Sequence, residues 1–329
     1  MGYKQNFTPT QAKFIQTGVL FTNLRYSELV QIWKHSGGEY PKVPSSVIKK
    51  LERLGILEIA RSEHENIYNF NNKKVVDIFT RAGLSTTLPS DSKLAYRHSD
   101  KANTFEQKFE AHDQLLYKVC LNNLAQFKGY EINFPKERNI KTNRIVPDAI
   151  YNLRNESDYF LYLEFDNLTE GSIDFSSKLP RYIQYYEEIY TSEIHSSMSL
   201  IFVFNGEPLV RISHLLTALS LTLTVDRTAV YDWLQNHKEF NVYFLTEGLW
   251  HNLGSEIANI PYGISPRLES FNVLNFIDKT HDSLAVREHY KKILNQVISD
   301  EKISKENDEL NLFNTSDYEL PNVHKKLFT

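Results

Sequence analysis

Apolar positions in the first eighty residues recur at helical spacing and then switch to short extended runs. Thr8-Pro9 is a helix start, a capping residue followed by proline at the first helical position, and Phe14, Ile15, Val19 and Leu20 follow at helical spacing. A second segment begins near Ser27, carries Leu29, Val30, Ile32 and Trp33, and ends at Gly37-Gly38. A third opens at Pro44-Ser45-Ser46, carries Val47, Ile48, Leu51 and Leu54, and stops at Gly55, a residue suited to the left-handed position after a helix. Two β-type runs, 56–61 and 67–70, flank the polar stretch SEHEN and predict a hairpin. Three helices and then a hairpin is the order of a winged helix-turn-helix. In that module the third helix enters the major groove and the wing touches the backbone. Here the polar side of the third helix offers Ser45, Ser46, Lys49, Lys50 and Arg53. The plainer alternative for these residues is an ordinary solvated face.

Beyond residue 82 the pattern changes. Residues 83–102 have weak periodicity and many small polar residues, and read as a linker. Residues 103–127 form a long amphipathic helix, with Phe105, Phe109, His112, Leu116, Val119, Cys120 and Leu124 on one face. Strand-like segments follow at 130–134, 147–153 and 159–166, a helix at about 174–190, and a strongly β run at 200–204. Helices are expected near 208–222 and 228–238, a strand at 241–245 and a helix at about 283–299. This order predicts an α/β domain, α+β for the chain as a whole, with a mixed sheet flanked by helices on both sides. The expected organisation is a winged helix at 1–82, a linker at 83–102, a sheet domain at 103–282, and a C-terminal helix with a polar, flexible tail at 283–329.

Charge sharpens this division. The 329-residue chain carries 37 Lys and Arg against 41 Asp and Glu, a net of −4, which as a total argues against nucleic acid. Residues 1–90 hold 12 bases and 7 acids, a net of +5, while the remainder holds 25 and 34, a net of −9. A basic module joined to an acidic one is the more informative description. The single cysteine, Cys120, excludes an intramolecular disulfide and fits a reducing cytoplasm. It reads as a small core residue. The N-terminus lacks the apolar stretch of a signal peptide. No uncharged apolar run approaches the ~20 residues that span a bilayer, the longest being Leu215 to Val225. No membrane partner is expected. No phosphate-binding loop or dinucleotide glycine pattern is present, so nothing indicates nucleotide hydrolysis.

The stretch that carries chemistry is Pro147-Asp148-Ala149, then Tyr162-Leu163-Glu164-Phe165-Asp166, then Lys178 and Tyr182. Glu164 and Asp166 are two apart on one strand, so both side chains emerge on the same face. Flanking Phe160, Leu161, Leu163 and Phe165 make that strand central, where two acids are costly unless hydrogen-bonded, paired or metal-bound. Asp148 opens the preceding strand, and a hairpin can bring the three carboxylates together. Such carboxylates hold hard cations, Mg2+ or Mn2+, beside a phosphate and a water. Lys178, on the next helix, could approach the site and stabilise charge developing on a phosphate. A lone E-x-D on a strand is more often a surface pattern; the Pro-Asp before it and the Lys after it raise the chemical reading.

The pattern PDA…YLEFDNLTEG…KLPRYIQYY behind a winged helix resembles the replication-relaxation family of bacterial plasmids and integrative elements. It is also similar to the MobC-type relaxases, whose catalytic domain is related to PD-(D/E)xK restriction endonucleases. The resemblance covers about residues 8–245, and its most specific part is E-x-D-x-x-T-E, Glu164 to Glu170, with K-x-x-x-Y, Lys178 to Tyr182. It implies metal-dependent nicking of double-stranded plasmid DNA at an origin of transfer or replication, alongside partner proteins of such a complex. It makes Asp148, Glu164 and Asp166 the metal ligands and Lys178 the motif lysine. The sequence departs from the strict (D/E)xK pattern, which would place lysine where Asp166 stands. A DNA-binding-only descendant, serving as an accessory or regulator of plasmid replication or transfer, is the alternative. A restriction-type nuclease would share the site and differ in target.

His112 lies on the apolar helix face, where a satisfied core histidine is the commoner case. The resemblance places a histidine near here, which makes His112 a candidate acid or base, with Glu110 as the fallback on the same helix. Tyr182, Tyr185 and Tyr186 raise a covalent tyrosyl route. That route usually comes with a histidine-rich metal site, and no H-x-H cluster exists. Tyr185 and Tyr186 are expected to pack, while Arg181 and Tyr182 are expected to touch phosphate. Thr169 and Glu170 could cap the next helix or orient a ligand.

Overall fold

The computed structural model describes residues 7–21, 23–61, 66–84, 115–134, 145–153, 159–166, 172–190, 197–205, 230–279, 284–285, 288–296 and 299. Helix α1 spans Pro9–Gly18, and the Thr8 hydroxyl accepts from the Gln11 N–H at 3.2 Å, satisfying an amide that the helix leaves unpaired. Helix α2 spans Tyr26–His35, with Glu28 reaching back to the Arg25 N–H at 2.7 Å. Helix α3 spans Ser45–Arg53. Gly55 follows it with φ +65°. Its N–H donates to Glu52 O at 2.9 Å and the Ile56 N–H to Leu51 O at 3.0 Å, the paired bonds of a Schellman stop.

Strands β1 (Leu57–Arg61) and β2 (Asn66–Phe70) pair antiparallel from Leu57–Phe70 to Arg61–Asn66. Leu24, before α2, adds a bridge to Tyr68 through two backbone bonds of 3.0 and 2.8 Å. Phe14, Leu29, Ile32, Trp33, Leu51 and Phe70 fill the space between these elements, with Phe14 edge-on to both Trp33 and Phe70. Helix α4 (Asn72–Ala82) was not foreseen in the sequence pattern; Asn71 caps it, Gly83 ends it at φ +67°, and Val75 and Phe79 are its buried residues.

Residues 115–123 are helical (α5) and run into a 3-10 turn at Leu124–Gln126. A five-stranded sheet follows, in the spatial order β3 (Glu131–Asn133), β4 (Ala149–Leu153), β5 (Tyr159–Asp166), β6 (Ser197–Phe204), β7 (Phe240–Thr246). Strand β4 pairs antiparallel with both β3 and β5, and β5–β6 and β6–β7 are parallel. Helix α6 (Ser172–Tyr190) lies between β5 and β6 in the chain, and α7 (Val230–Asn236) lies before β7. Strands β5, β6 and β7 are almost entirely buried, as expected of a sheet covered on both faces.

Side-chain alternation assigns the two faces. Tyr162, Glu164 and Asp166 share the face covered by α6, where Tyr162 meets Tyr182 and Tyr185. Tyr151 and its cross-strand neighbour Leu161 lie on the opposite face, where Tyr151 meets Cys120 of α5, Phe127 and Trp250. After β7 come three short helices, α8 (Glu247–Asn252), α9 (Gly254–Ala258) and α10 (Pro266–Glu269), and helical residues 288–296 bring Tyr290 against Phe271 and Phe276.

The basic N-terminal part packs directly on the sheet part. Phe21 is edge-on to Tyr117 and Phe134, and buried His35 bonds through Nδ1 to Leu124 O at 3.2 Å. The buried side chains of both parts form one contiguous cluster. The chain is therefore a mixed α+β protein with a five-stranded mixed sheet and a small antiparallel sheet. Among the described residues no helix is long and apolar enough to cross a membrane. Residues 85–102 of the expected linker, the expected helix at 208–222 and the tail from 300 onward lie outside the described residues.

Candidate functional site

The site grows from the last register of the β4–β5 hairpin. Ala149 pairs with Leu163, so Asp148 lies one step further along, beside Glu164 and on the same face. The Asp148 N–H donates to Leu163 O at 3.0 Å, and Asp148 Oδ2 accepts from the Phe165 N–H at 2.8 Å. A side chain thus extends the ladder where the strand begins, which fixes the carboxylate. Asp148, Glu164 and Asp166 are all buried, at 8, 3 and 2% exposure, an uncommon condition for acids.

Both oxygens of Glu164 are engaged by α6. The Lys178 ammonium donates to Oε2 at 2.6 Å, and the Tyr182 hydroxyl donates to Oε1 at 2.5 Å. Lys178 and Tyr182 are four apart and therefore neighbours on one helix face. Burial pushes the Glu164 carboxyl up, to about 7; the Lys178 charge and the two hydrogen bonds pull it back, while the Asp148 charge pushes it further up. Burial and the Glu164 charge raise the Tyr182 phenol well above its ordinary value, so it stays protonated and donating.

Of the expected site residues, Asp148, Glu164 and Lys178 come together. Asp166 shares their face of the sheet, two residues beyond Glu164 at the end of β5, and is buried. Among the described residues no three His, Cys, Asp or Glu side chains gather as a metal-binding group. The donor chemistry of the Asp148–Glu164 pair nonetheless fits a hard cation. Mg2+ commonly takes one or two carboxylates and completes its shell with water and substrate phosphate.

Tyr182 stands differently from the expectation that it touches phosphate. It is 1% exposed with its hydroxyl on Glu164, so it is not presented to a duplex. Arg181, its neighbour, is exposed. The signal for Tyr182's place was the K-x-x-x-Y spacing itself, which sets the tyrosine one turn from the lysine.

His112, Glu110, Thr169 and Glu170 lie outside the described residues. The described part of α5 packs on the sheet face opposite Glu164, with the Trp250 indole N–H donating to Val119 O at 3.1 Å and the Asn123 amide bonded to Trp250 O. Cys120 is buried there, and burial pushes its thiol up to about 12, which makes it a core residue rather than a nucleophile.

On α3, Ser45, Ser46, Lys49 and Arg53 are exposed. Lys50 is not with them: its ammonium donates to Gln11 Oε1 at 3.0 Å and sits 4.6 Å from the centre of the Phe7 ring. Its role is to tie α3 to α1. No protein-family model matches the chain, and no curated protein matches it.

Proposed function

We propose that this protein binds double-stranded DNA through its basic N-terminal part and nicks it at the Asp148–Glu164 site, in the manner of a relaxase or replication-relaxation protein. The carrying observation is the buried cross-strand pair Asp148 and Glu164 with the Lys178 ammonium beside it. A structural carboxylate pair is costly to bury, and a divalent cation would remove that cost. The mixed sheet with helices on both faces, the acids at the end of a hairpin and the lysine on the crossover helix support a PD-(D/E)xK-like reading of this part. The order α1, α2, α3, β1, β2, with the extra bridge at Leu24, supports the winged-helix reading of the other.

In this reading Asp148 and Glu164 hold Mg2+ or Mn2+, with Asp166 further along the same face. When bound, the cation supplies charge neutralisation at the phosphate and lowers the pKa of a water. The chain's own contribution is positional and electrostatic. The Phe165 N–H holds Asp148, α6 holds Glu164, and Lys178 brings positive charge beside the buried carboxylates, where it would act on a phosphodiester. Tyr182 is held as a donor to Glu164, which does not favour a covalent tyrosyl route at that residue. Ser45, Ser46, Lys49, Arg53 and Arg181 are the surface groups offered to DNA. The proposed target is a plasmid origin, and the proposed setting is the cytoplasm.

A second reading is a non-catalytic DNA-binding accessory. It is favoured by the full engagement of Glu164 by Lys178 and Tyr182, which leaves the acid satisfied without a metal. Supercoiled plasmid carrying the protein's own origin separates the two. With Mg2+, the nicking reading expects open-circular product from the wild type and none from Asp148→Asn, both proteins binding DNA equally. Salt-dependent binding with no product from the wild type supports the accessory reading.

A further inference from the structure

We infer that Tyr182 is a positioning residue for the metal-binding carboxylate: its phenol holds Glu164 in register with Asp148 before and after a divalent cation binds. This rests on the proposal that the Asp148–Glu164 pair takes a cation.

Glu164 accepts from two donors of different charge. Lys178 is cationic and sits on Oε2; Tyr182 is neutral and sits on Oε1. A dication arriving at Glu164 is repelled by the ammonium, and because Glu164 is buried, like charges a few ångströms apart interact strongly there. The neutral phenol has no such conflict. Tyr182 is therefore the donor that can remain when the cation takes the other oxygen, while Lys178 is the one set free to meet the phosphate.

The surroundings of Tyr182 suit a fixed part. The side chain is fully enclosed, and its ring packs on Tyr162, the next residue but one before Glu164 on the same strand face. Strand β5 and helix α6 thus hold both ends of the hydrogen bond. A carboxylate with one oxygen held can turn only about that contact, which limits the positions the second oxygen can take. Outer partners that orient ligands in this way typically contribute ten- to a hundredfold to metal affinity.

The test is calorimetric titration of the full chain with Mn2+, alone and without DNA. Tyr182→Phe keeps the ring and removes the hydroxyl; it is expected to weaken Mn2+ binding by about tenfold or more, with a melting temperature close to that of the wild type. Tyr185→Phe is the control, since Tyr185 lies on the same helix and meets Tyr162 rather than Glu164; its affinity is expected to match the wild type. Affinity within about twofold of wild type in Tyr182→Phe overturns the inference, and so does an equal loss in Tyr185→Phe, which would mark a general packing effect. If wild type binds no Mn2+, the metal reading of the site fails and the inference with it. Should Tyr182→Phe not fold, 3-fluorotyrosine at position 182 preserves the hydroxyl, and its fluorine resonance is followed during Mg2+ titration. A shift saturating with the binding isotherm supports the positioning role; a resonance that stays still while Mg2+ binds overturns it.

Discussion

Glu164 concentrates the chemistry of the site in one side chain. Its carboxyl is raised to about 7, chiefly by burial, against an ordinary value of 4.5. Between those values the folded protein holds a proton that the unfolded chain has lost. This group's contribution to stability is therefore fully present below pH 4.5 and is lost as pH rises through 7. Urea midpoints of the wild type should fall between pH 5 and pH 8 by an amount that Glu164→Gln largely abolishes, on the order of 2–3 kcal/mol at most. The opposite slope would mean that the carboxylate is stabilised in its charged form. The same acid must be deprotonated to hold a cation. Mg2+ should thus raise the melting temperature more at pH 8 than at pH 5. The sequence displayed this residue through the E-x-D spacing and the Pro-Asp ahead of it. It also allowed a hairpin to bring Asp148 to Glu164, but not the register that sets the two opposite each other, because register depends on where the hairpin turns.

Under the proposed function, helix α3 is the element on which DNA binding would depend, and its side chains divide into two groups. Lys49 and Arg53 are exposed, whereas Lys50 is bound to Gln11 and Phe7. Replacing Lys49 or Arg53 with Ala should lower affinity on all sequences and reduce the slope of log affinity against log salt by about 1 each. Lys50→Ala should leave that slope unchanged and lower stability slightly. Equal slopes for all three variants would place DNA elsewhere. The end of α3 is equally specific. Gly55 at φ +65° closes the helix, and Gly55→Ala should cost about 1 kcal/mol in chemical denaturation. The helices and the hairpin here were legible because capping residues, glycines and the change of period coincide with their ends. Helix α4 was not, because Asn72-Lys73-Lys74 reads as a polar turn and only Val75 and Phe79 are buried on it. The short helices between 247 and 269 escaped for a similar reason: segments of four to six residues are too brief to establish a period.

At the scale of the molecule, charge divides the chain and packing joins it. The +5 and −9 segments read as two modules, yet Phe21 and His35 of the first are buried against Tyr117, Leu124 and Phe134 of the second. These partners lie roughly ninety or more residues apart in sequence, and no local pattern announces them. Phe21→Ala should destabilise by about 3–5 kcal/mol, and the wild type should melt in one transition reported alike by both parts. His35 adds a pH signature. Burial foremost, and then the Lys13 charge, lower its pKa to about 3 from 6.5. The unfolded chain takes up a proton that the folded one refuses. Stability from this residue is present above pH 6.5 and is lost as pH falls towards 3, by up to about 1.4 kcal/mol per pH unit. Acid unfolding should begin earlier in the wild type than in a variant with an apolar residue at position 35 that keeps the interface packed.

The central claim is that Asp148 and Glu164 together hold a divalent cation. Anomalous diffraction from a crystal soaked in Mn2+ tests it most directly. One strong peak is expected within bonding distance of an oxygen of each residue, with the Tyr182 hydroxyl still on Glu164 and the Lys178 ammonium moved off it. A site without a peak, with Lys178 still paired to Glu164, would contradict it.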